Sequence, residues 1–217
     1  MIGSHNSMSY LPVRQWYLKP FWWMARCQSK TLSEQYRYYE VRLFDFRVRF
    51  DKNGDLVFAH GPIEFKGDPR DYLDELNKLA GMLDAIHCND GVVILSPSVY
   101  VRLILESNKP MNDQELQEEH FRYFCEDIQR KYRNITFFGG NRKYDWEEIY
   151  HFDTKVDLID DYSSTTNIFG GHKDHWTAKL DDLWPWLYAR LRNKKNIKKY
   201  IESKDDRILF IDYVNIR

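Results

Sequence analysis

No stretch of the sequence approaches the ~18 consecutive apolar residues of a membrane-spanning helix. The first ten residues, MIGSHNSMSY, contain neither a basic segment nor an apolar one, so they do not read as a signal peptide. The expectation is a chain that is neither inserted nor exported, and therefore cytoplasmic by default. Cysteine is scarce. Cys27, Cys88 and Cys125 are far apart and odd in number, which argues against a zinc-finger spacing or a disulfide framework and reads as reduced core thiols. Charge of one sign is also missing: 32 Lys and Arg face 33 Asp and Glu. Nothing in that balance draws the chain toward nucleic acid or acidic lipid. There is no internal repeat and no low-complexity segment. What the sequence has in excess is aromatic: 16% of its residues, with 15 Tyr and 7 Trp. Heavy aromatic packing or an aromatic-lined surface follows. A length of 217 residues fits a single domain over 1–217 with a real core.

Strand and helix patterns alternate along most of the chain. A short strand at 1–5 leads into a long aromatic loop. TLSEQYRYYE reads as a helix with Thr31 or Ser33 near its cap. VRLFDFRVRF, 41–50, has period two and is a strand. DKNGDL carries an Asn-Gly hairpin signal that turns it into LVFAH. The next helix is capped by Asp68, with Pro69 in its first turn. SVYVRLIL is a strand, and a long amphipathic helix capped near Asn112 follows it. NITFFGG and KVDLIDDY are strands, the segment around Pro185 is helical, and RILFIDYV is a buried strand. This order predicts α/β architecture with a largely parallel sheet. The natural form is a compact, irregular (β/α) TIM-type barrel, since eight full units need about 250 residues.

Polar residues cluster at strand ends. They are Ser4-His5-Asn6, then Ala59-His60-Gly61, Glu106 after VRLIL, Asp160-Asp161-Tyr162, and Asp212. In α/β barrels the site is built at the carboxyl ends of strands. Asp45, Arg47 and Arg49 share one face of the 41–50 strand, and Phe44, Phe46 and Val48 share the other. Charges alternating on a strand ordinarily mark a solvated face. A sheet covered on both sides forces them inward and into pairs. Two histidines supply an acid and a base near neutrality. Arginine matches phosphate oxygens. A carboxylate fixes a histidine's tautomer. Together they suit acid–base cleavage of a phosphate ester.

GSHNS, CQSKTLSEQ, VRLFDFRV and LVFAHG, in that order over 3–60, resemble the X-type catalytic domain of phosphatidylinositol-specific phospholipase C, bacterial branch. VRLILE, LIDDY and ILFIDYV match more loosely but in order. The resemblance implies an irregular (β/α)8-like barrel and a lyase reaction through a cyclic inositol phosphate. His5 becomes the general base for the inositol 2-hydroxyl, Asp212 its orienting carboxylate, and His60 the general acid for the leaving oxygen. Arg47 contacts the phosphate where calcium-dependent relatives hold a metal, and Asp45 helps to position either Arg47 or the attacking hydroxyl. Asp160 and Tyr162 line the inositol pocket, and Arg102 stands in for a missing mid-chain arginine. The family's members are often secreted, and they carry a helix ahead of the first strand. The expectation here is a reduced barrel or a chain whose start lies upstream. The expected substrate is an inositol phospholipid or another phosphodiester, with no nucleic-acid partner and no cofactor.

Two departures keep alternatives open. Asn6 stands where bacterial members have Asp, and Glu106 falls where the calcium-dependent branch has a carboxylate ligand. Asn6, Asp45 and Glu106 are three oxygen donors for a Ca²⁺ ion, as in a related calcium-dependent barrel phosphodiesterase. Arg47 at the same spot argues against the ion. The other alternative is a non-catalytic phosphoinositide-binding module. Loop 7–31 belongs at the mouth, where Trp22 and Trp23 form either a contact with a membrane surface or a small satellite core. His172 and His175 read as surface histidines rather than a metal pair, and RLRNKKNIKK as a solvated helix face.

Overall fold

The computed structural model describes residues 1–88, 99–106, 114–142, 149–154, 156, 158–160 and 184–216. At its centre is β2, Val41–Phe50, in which every residue except Arg42 is buried. Strand β1, Ile2–Ser4, runs parallel along one edge, and β5, Val99–Leu105, runs parallel along the other. β8, Ile208–Ile211, continues the parallel sheet beyond β1, and β7, Leu158–Asp160, lies beyond β8. On the other side β6, Ile135–Arg142, pairs with β5. The parallel order is therefore β6-β5-β2-β1-β8-β7. Where β1 ends, β3, Leu56–His60, takes over the same edge of β2 as an antiparallel strand, followed by the two-residue β4, Ile63–Glu64.

The local rules explain most boundaries. Asp51 Oδ1 accepts the N–H groups of Asn53 and Asp55, and Gly54 takes φ +84°, so the Asn-Gly turn forms as its residues require. After a 3-10 segment at Trp16–Phe21 come α1, Trp22–Ala25, and α2, Leu32–Tyr38. α2 opens with a complete capping box between Thr31 and Glu34. α3, Pro69–Cys88, begins with Pro at its first position. α4, Gln114–Lys131, buries Phe121, Phe124, Cys125 and Ile128 at helical spacing. α5, Pro185–Ser203, ends on a left-handed Lys204. The main core joins Phe44, Phe46 and Val48 of β2 to Leu73 and Leu76 of α3 and Phe121 of α4. Each fully buried side chain of this size contributes about 1.5–3 kcal/mol. Gly3 is needed for close approach, because a Cβ there would stand 3.1 Å from both Leu43 and Phe210.

The closed barrel expected from the alternation is not seen among the described residues. β6 and β7 are the two edges of the parallel sheet and are not paired with each other. Six parallel strands are two short of the eight that close such a barrel. The chain uses its third and fourth strands on an antiparallel hairpin instead. The α/β reading and the parallel core hold. No helix among the described residues is long and apolar enough to cross a membrane.

β6 approaches β5 most tightly at Gly139, which takes φ +93° and would place a Cβ 2.7 Å from the Leu103 carbonyl oxygen. Gly139→Ala therefore combines a left-handed backbone cost with overpacking. Urea unfolding should show a loss of about 2–4 kcal/mol.

Candidate active site

The site starts where β1 leaves the sheet. His5 N–H donates to the Ile211 carbonyl at 3.0 Å. Asn6 then takes φ 41°, a left-handed conformation that asparagine tolerates. Its N–H donates to Asp45 Oδ2 at 3.0 Å. Ser7 Oγ accepts the Asp45 N–H at 2.8 Å and donates to the Ser4 carbonyl at 2.8 Å. The GSHNS turn is thus clamped to the middle of β2. Buried Gln28 fastens the same turn to the end of β8. Its Nε2 donates to the carbonyls of His5 and Ile211, both at 3.2 Å, and its Oε1 accepts the Val214 N–H at 3.1 Å. Ser9 Oγ accepts the N–H groups of Cys27 and Gln28 and holds that segment in place.

His5 is fully buried, and its Nδ1 lies 2.7 Å from Asp212 Oδ1. A carboxylate acceptor there keeps the proton on Nδ1 and turns the Nε2 lone pair outward. Nε2 lies 3.9 Å from Asp45 Oδ2. The same oxygen accepts from Arg47 Nε at 2.7 Å, and Arg47 Nη1 is 3.4 Å from Glu106 Oε1. Burial on its own would raise the Asp45 pKa. The Arg47 and Arg102 charges and the Asn6 N–H outweigh it, so this carboxyl is held below the ordinary carboxylate range. Arg102 lies beside Asp45 in the β2–β5 register, with its guanidinium 5.5 Å from the Phe210 ring. Phe210 in turn meets His5 edge to face at 5.6 Å.

His60 ends β3, and its ring stands at 90° to that of His5 with 5.8 Å between centroids. Its Nδ1 donates to the Ala25 carbonyl at 2.9 Å, and Cys27 Sγ is 3.7 Å from the same nitrogen. The carbonyl can only accept, so it leaves Nε2 of His60 as the nitrogen with a lone pair. The second histidine is therefore seated by a neutral carbonyl and a thiol.

The structure brings His5, His60, Asp45, Arg47 and Asp212 together, with Arg102 and Glu106 beside them. Asp160 ends β7 opposite Phe210 in the register. Tyr162, His172 and His175 lie outside the described residues. Arg49 is used elsewhere: its Nη2 donates to the Gly61 carbonyl at 2.8 Å, bracing the β3–β4 turn. Of the three oxygen donors considered for calcium, Asp45 and Glu106 each pair with the Arg47 guanidinium. Trp22 and Trp23 are exposed, and Trp23 packs on Trp184 with centroids 5.4 Å apart. A cavity of about 360 Å³ lies among Trp22, Trp23, Trp184, Trp186 and Tyr213. A larger groove of about 970 Å³ runs past Phe50, Phe65 and His120 and contains none of the site residues.

Sequence reasoning assigned no role to Ala25, Cys27 or Asn193. Ala25 acts through a backbone carbonyl and has no side-chain signal. Asn193 lies in the RLRNKKNIKK segment read as a solvated helix face, but the structure buries it, and its Nδ2 donates to the Asp212 carbonyl at 2.7 Å from α5.

No family model matches the chain, and no curated protein matches it in sequence. Solved structures do resemble it. The phosphatidylinositol-specific phospholipase C of Listeria monocytogenes superposes with a TM-score of 0.57 at 15% identity, covering 98% of this chain and 87% of that one. A variant of the Staphylococcus aureus phosphatidylinositol-specific phospholipase C gives 0.57 at 17% identity, covering 98% and 84%. A further structure of the Staphylococcus aureus enzyme, concerned with modulation of its membrane binding, gives 0.54 at 16% identity, covering 98% and 85%. The fold is that of the bacterial phosphatidylinositol-specific phospholipases C.

Two measurements probe this arrangement. Gln28→Ala removes three buried hydrogen bonds, of whose backbone partners the Ile211 carbonyl still accepts from the His5 N–H, and should cost about 2–4 kcal/mol in chemical denaturation. The second concerns acid. The Asp45 pKa is lower in the folded chain than in the unfolded one. Its stabilisation is therefore complete above the unfolded value of about 3.9 and is lost as the pH falls toward the depressed folded value. Urea midpoints measured from pH 5 to pH 3 should fall less steeply for Asp45→Asn than for the unsubstituted protein.

Proposed function

We propose that the chain cleaves the phosphodiester of an inositol phospholipid by intramolecular attack. His5 Nε2 removes the proton of the inositol 2-hydroxyl, and that oxygen attacks the adjacent phosphorus. The bond to the glyceryl oxygen breaks, His60, which enters the step as an imidazolium, gives that oxygen its Nε2 proton and is left neutral, and a cyclic phosphate and a diacylglycerol leave. Attack by a neighbouring hydroxyl is a matter of orientation, so a rigid pocket accounts for much of the rate. Asp212 holds the His5 tautomer. Arg47, aimed by Asp45 and Glu106, neutralises the charge that builds on the phosphoryl oxygens, and Arg102 adds to it. Asp160 and Tyr162 belong to the inositol pocket.

The observation that carries this reading is the juxtaposition of two histidines and an arginine around one carboxylate. The His5 and His60 rings are 5.8 Å apart, and Asp45 Oδ2 joins Arg47 to the edge of His5. Asn6 Nδ2 and Asp45 Oδ1 are buried without a hydrogen-bond partner among the described residues, which suits a polar ligand arriving there. The proteins that share the fold are named phosphatidylinositol-specific phospholipases C. Arg47 supplies positive charge where a Ca²⁺ ion would otherwise be needed, which favours a reaction without metal. The exposed Trp22 and Trp23 lie one turn before the Ala25–Cys27 segment that seats His60, a suitable place for a rim that meets a lipid surface.

His5→Ala and His60→Ala should each lower cyclic-phosphate formation from phosphatidylinositol vesicles by about 10²–10⁴-fold. Phosphorus NMR of the product distinguishes a cyclic from an open phosphate. Activity should survive excess chelator. Loss of activity on chelation would favour the calcium-dependent reading. Absence of any turnover with inositol phospholipids would favour the binding module.

A further inference from the structure

His5, Cys27 and Asp212 each offer one donor atom within 4.8 Å of the other two, and all three residues are buried. The spacing of Cys27 along the chain gave no hint of this, because the cluster is assembled from β1, the loop before α2 and the end of β8. We propose that these three residues form a site for a thiophilic divalent cation of the Zn²⁺ type, and that occupancy switches the catalytic pair off.

The chemistry of the donors fits such an ion. One imidazole nitrogen, one thiolate and one carboxylate are the ligand types zinc takes, and three protein ligands with a fourth place for water make an ordinary zinc site. Zn–S of about 2.3 Å and Zn–N of about 2.0–2.1 Å place sulfur and nitrogen about 3.6 Å apart, so donors that now lie within 4.8 Å of one another need to shift by only about 1 Å. Charge also balances. A thiolate and the Asp212 carboxylate sum to the two negative charges that neutralise the cation, and binding releases the Cys27 thiol proton. A neutral buried site avoids the cost of an isolated charge. The neighbouring carboxylate, Asp45, is already taken by Arg47 and does not compete. His60, which is only partly buried, lies against Cys27.

Binding and catalysis exclude each other. Nε2 of His5 is the base of the proposed reaction, and Nδ1 is its tether to Asp212. Whichever nitrogen the cation takes, His5 loses one of these roles. The inhibitory part of the proposal rests on the phospholipase reading. The metal site itself does not.

The test uses the reduced, chelator-stripped protein and the metal alone. One equivalent of Co²⁺ should give a near-ultraviolet sulfur-to-cobalt charge-transfer band, which Zn²⁺ should abolish by displacement. Cys27→Ser should remove the band, and Cys125→Ala should keep it. If Cys27→Ser does not fold, the unsubstituted protein still decides: one equivalent of Zn²⁺ should slow alkylation of Cys27, read by mass spectrometry, and not that of Cys125. Zn²⁺ should also suppress cyclic-phosphate formation until chelator is added, and Cys27→Ser should raise the inhibitory concentration at least about tenfold. Absence of the band, or its persistence in Cys27→Ser, overturns the site. A band without any turnover keeps the site and removes the phospholipase reading. Turnover that Zn²⁺ leaves unchanged despite the band overturns the switch.

Discussion

The bond between His5 Nδ1 and Asp212 Oδ1, 2.7 Å long, joins residues 207 positions apart in sequence. Everything else at the site is arranged around it. It requires β1 and β8 to be neighbours, and their parallel pairing brings Ser4 beside Ile211. It also requires the turns after both strands to stay fixed. Gln28 fixes them by bridging the carbonyls of His5 and Ile211 and the N–H of Val214. Asn193 holds Asp212 from behind by its carbonyl. A histidine buried at this depth has no freedom to choose another tautomer, so its chemistry is decided by the packing of the backbone around it.

The second constraint is the burial of charge in β2. Asp45 and Arg47 lie in a strand covered on both faces, where unpaired charges are costly. They are tolerated because each completes the other and because Asn6, Ser7 and Glu106 add further bonds. Arg47 is held on both sides by carboxylates, which points its charge in one direction. An arrangement of this kind does little for stability relative to an apolar core. What it provides is a guanidinium held in one orientation before any ligand arrives.

Much of this was legible in the sequence. The alternation in VRLFDFRVRF placed Asp45 and Arg47 on one face, and the covered sheet turned that face inward. The Asn-Gly turn, the Thr31 cap and Pro69 marked element ends through local stereochemistry. The GSHNS, LVFAHG and ILFIDYV segments supplied both histidines and Asp212, because a strand end with a polar residue leaves a local trace. Closure of the barrel was not legible, since it depends on β6 and β7 meeting across the sheet and not on any pattern within either strand. β4 was missed because two residues are too few to show a period. The seat of His60 was missed because it uses a backbone carbonyl and a thiol 33 residues away, both contacts that exist only after folding.

The strand pairing has a consequence for biosynthesis. Among the described strands β1 comes earliest in the chain, and β8, which completes its second edge, comes last. Elements made early can fold early only if their partners are already present. His5 meets Asp212 only once the chain has been synthesised past residue 212. The nascent protein can therefore assemble β2, β3 and α3, with His60 in place, long before the His5–Asp212 pair exists. That pair arrives with the last described strand, so a chain cut short before residue 212 lacks the His5–Asp212 bond altogether.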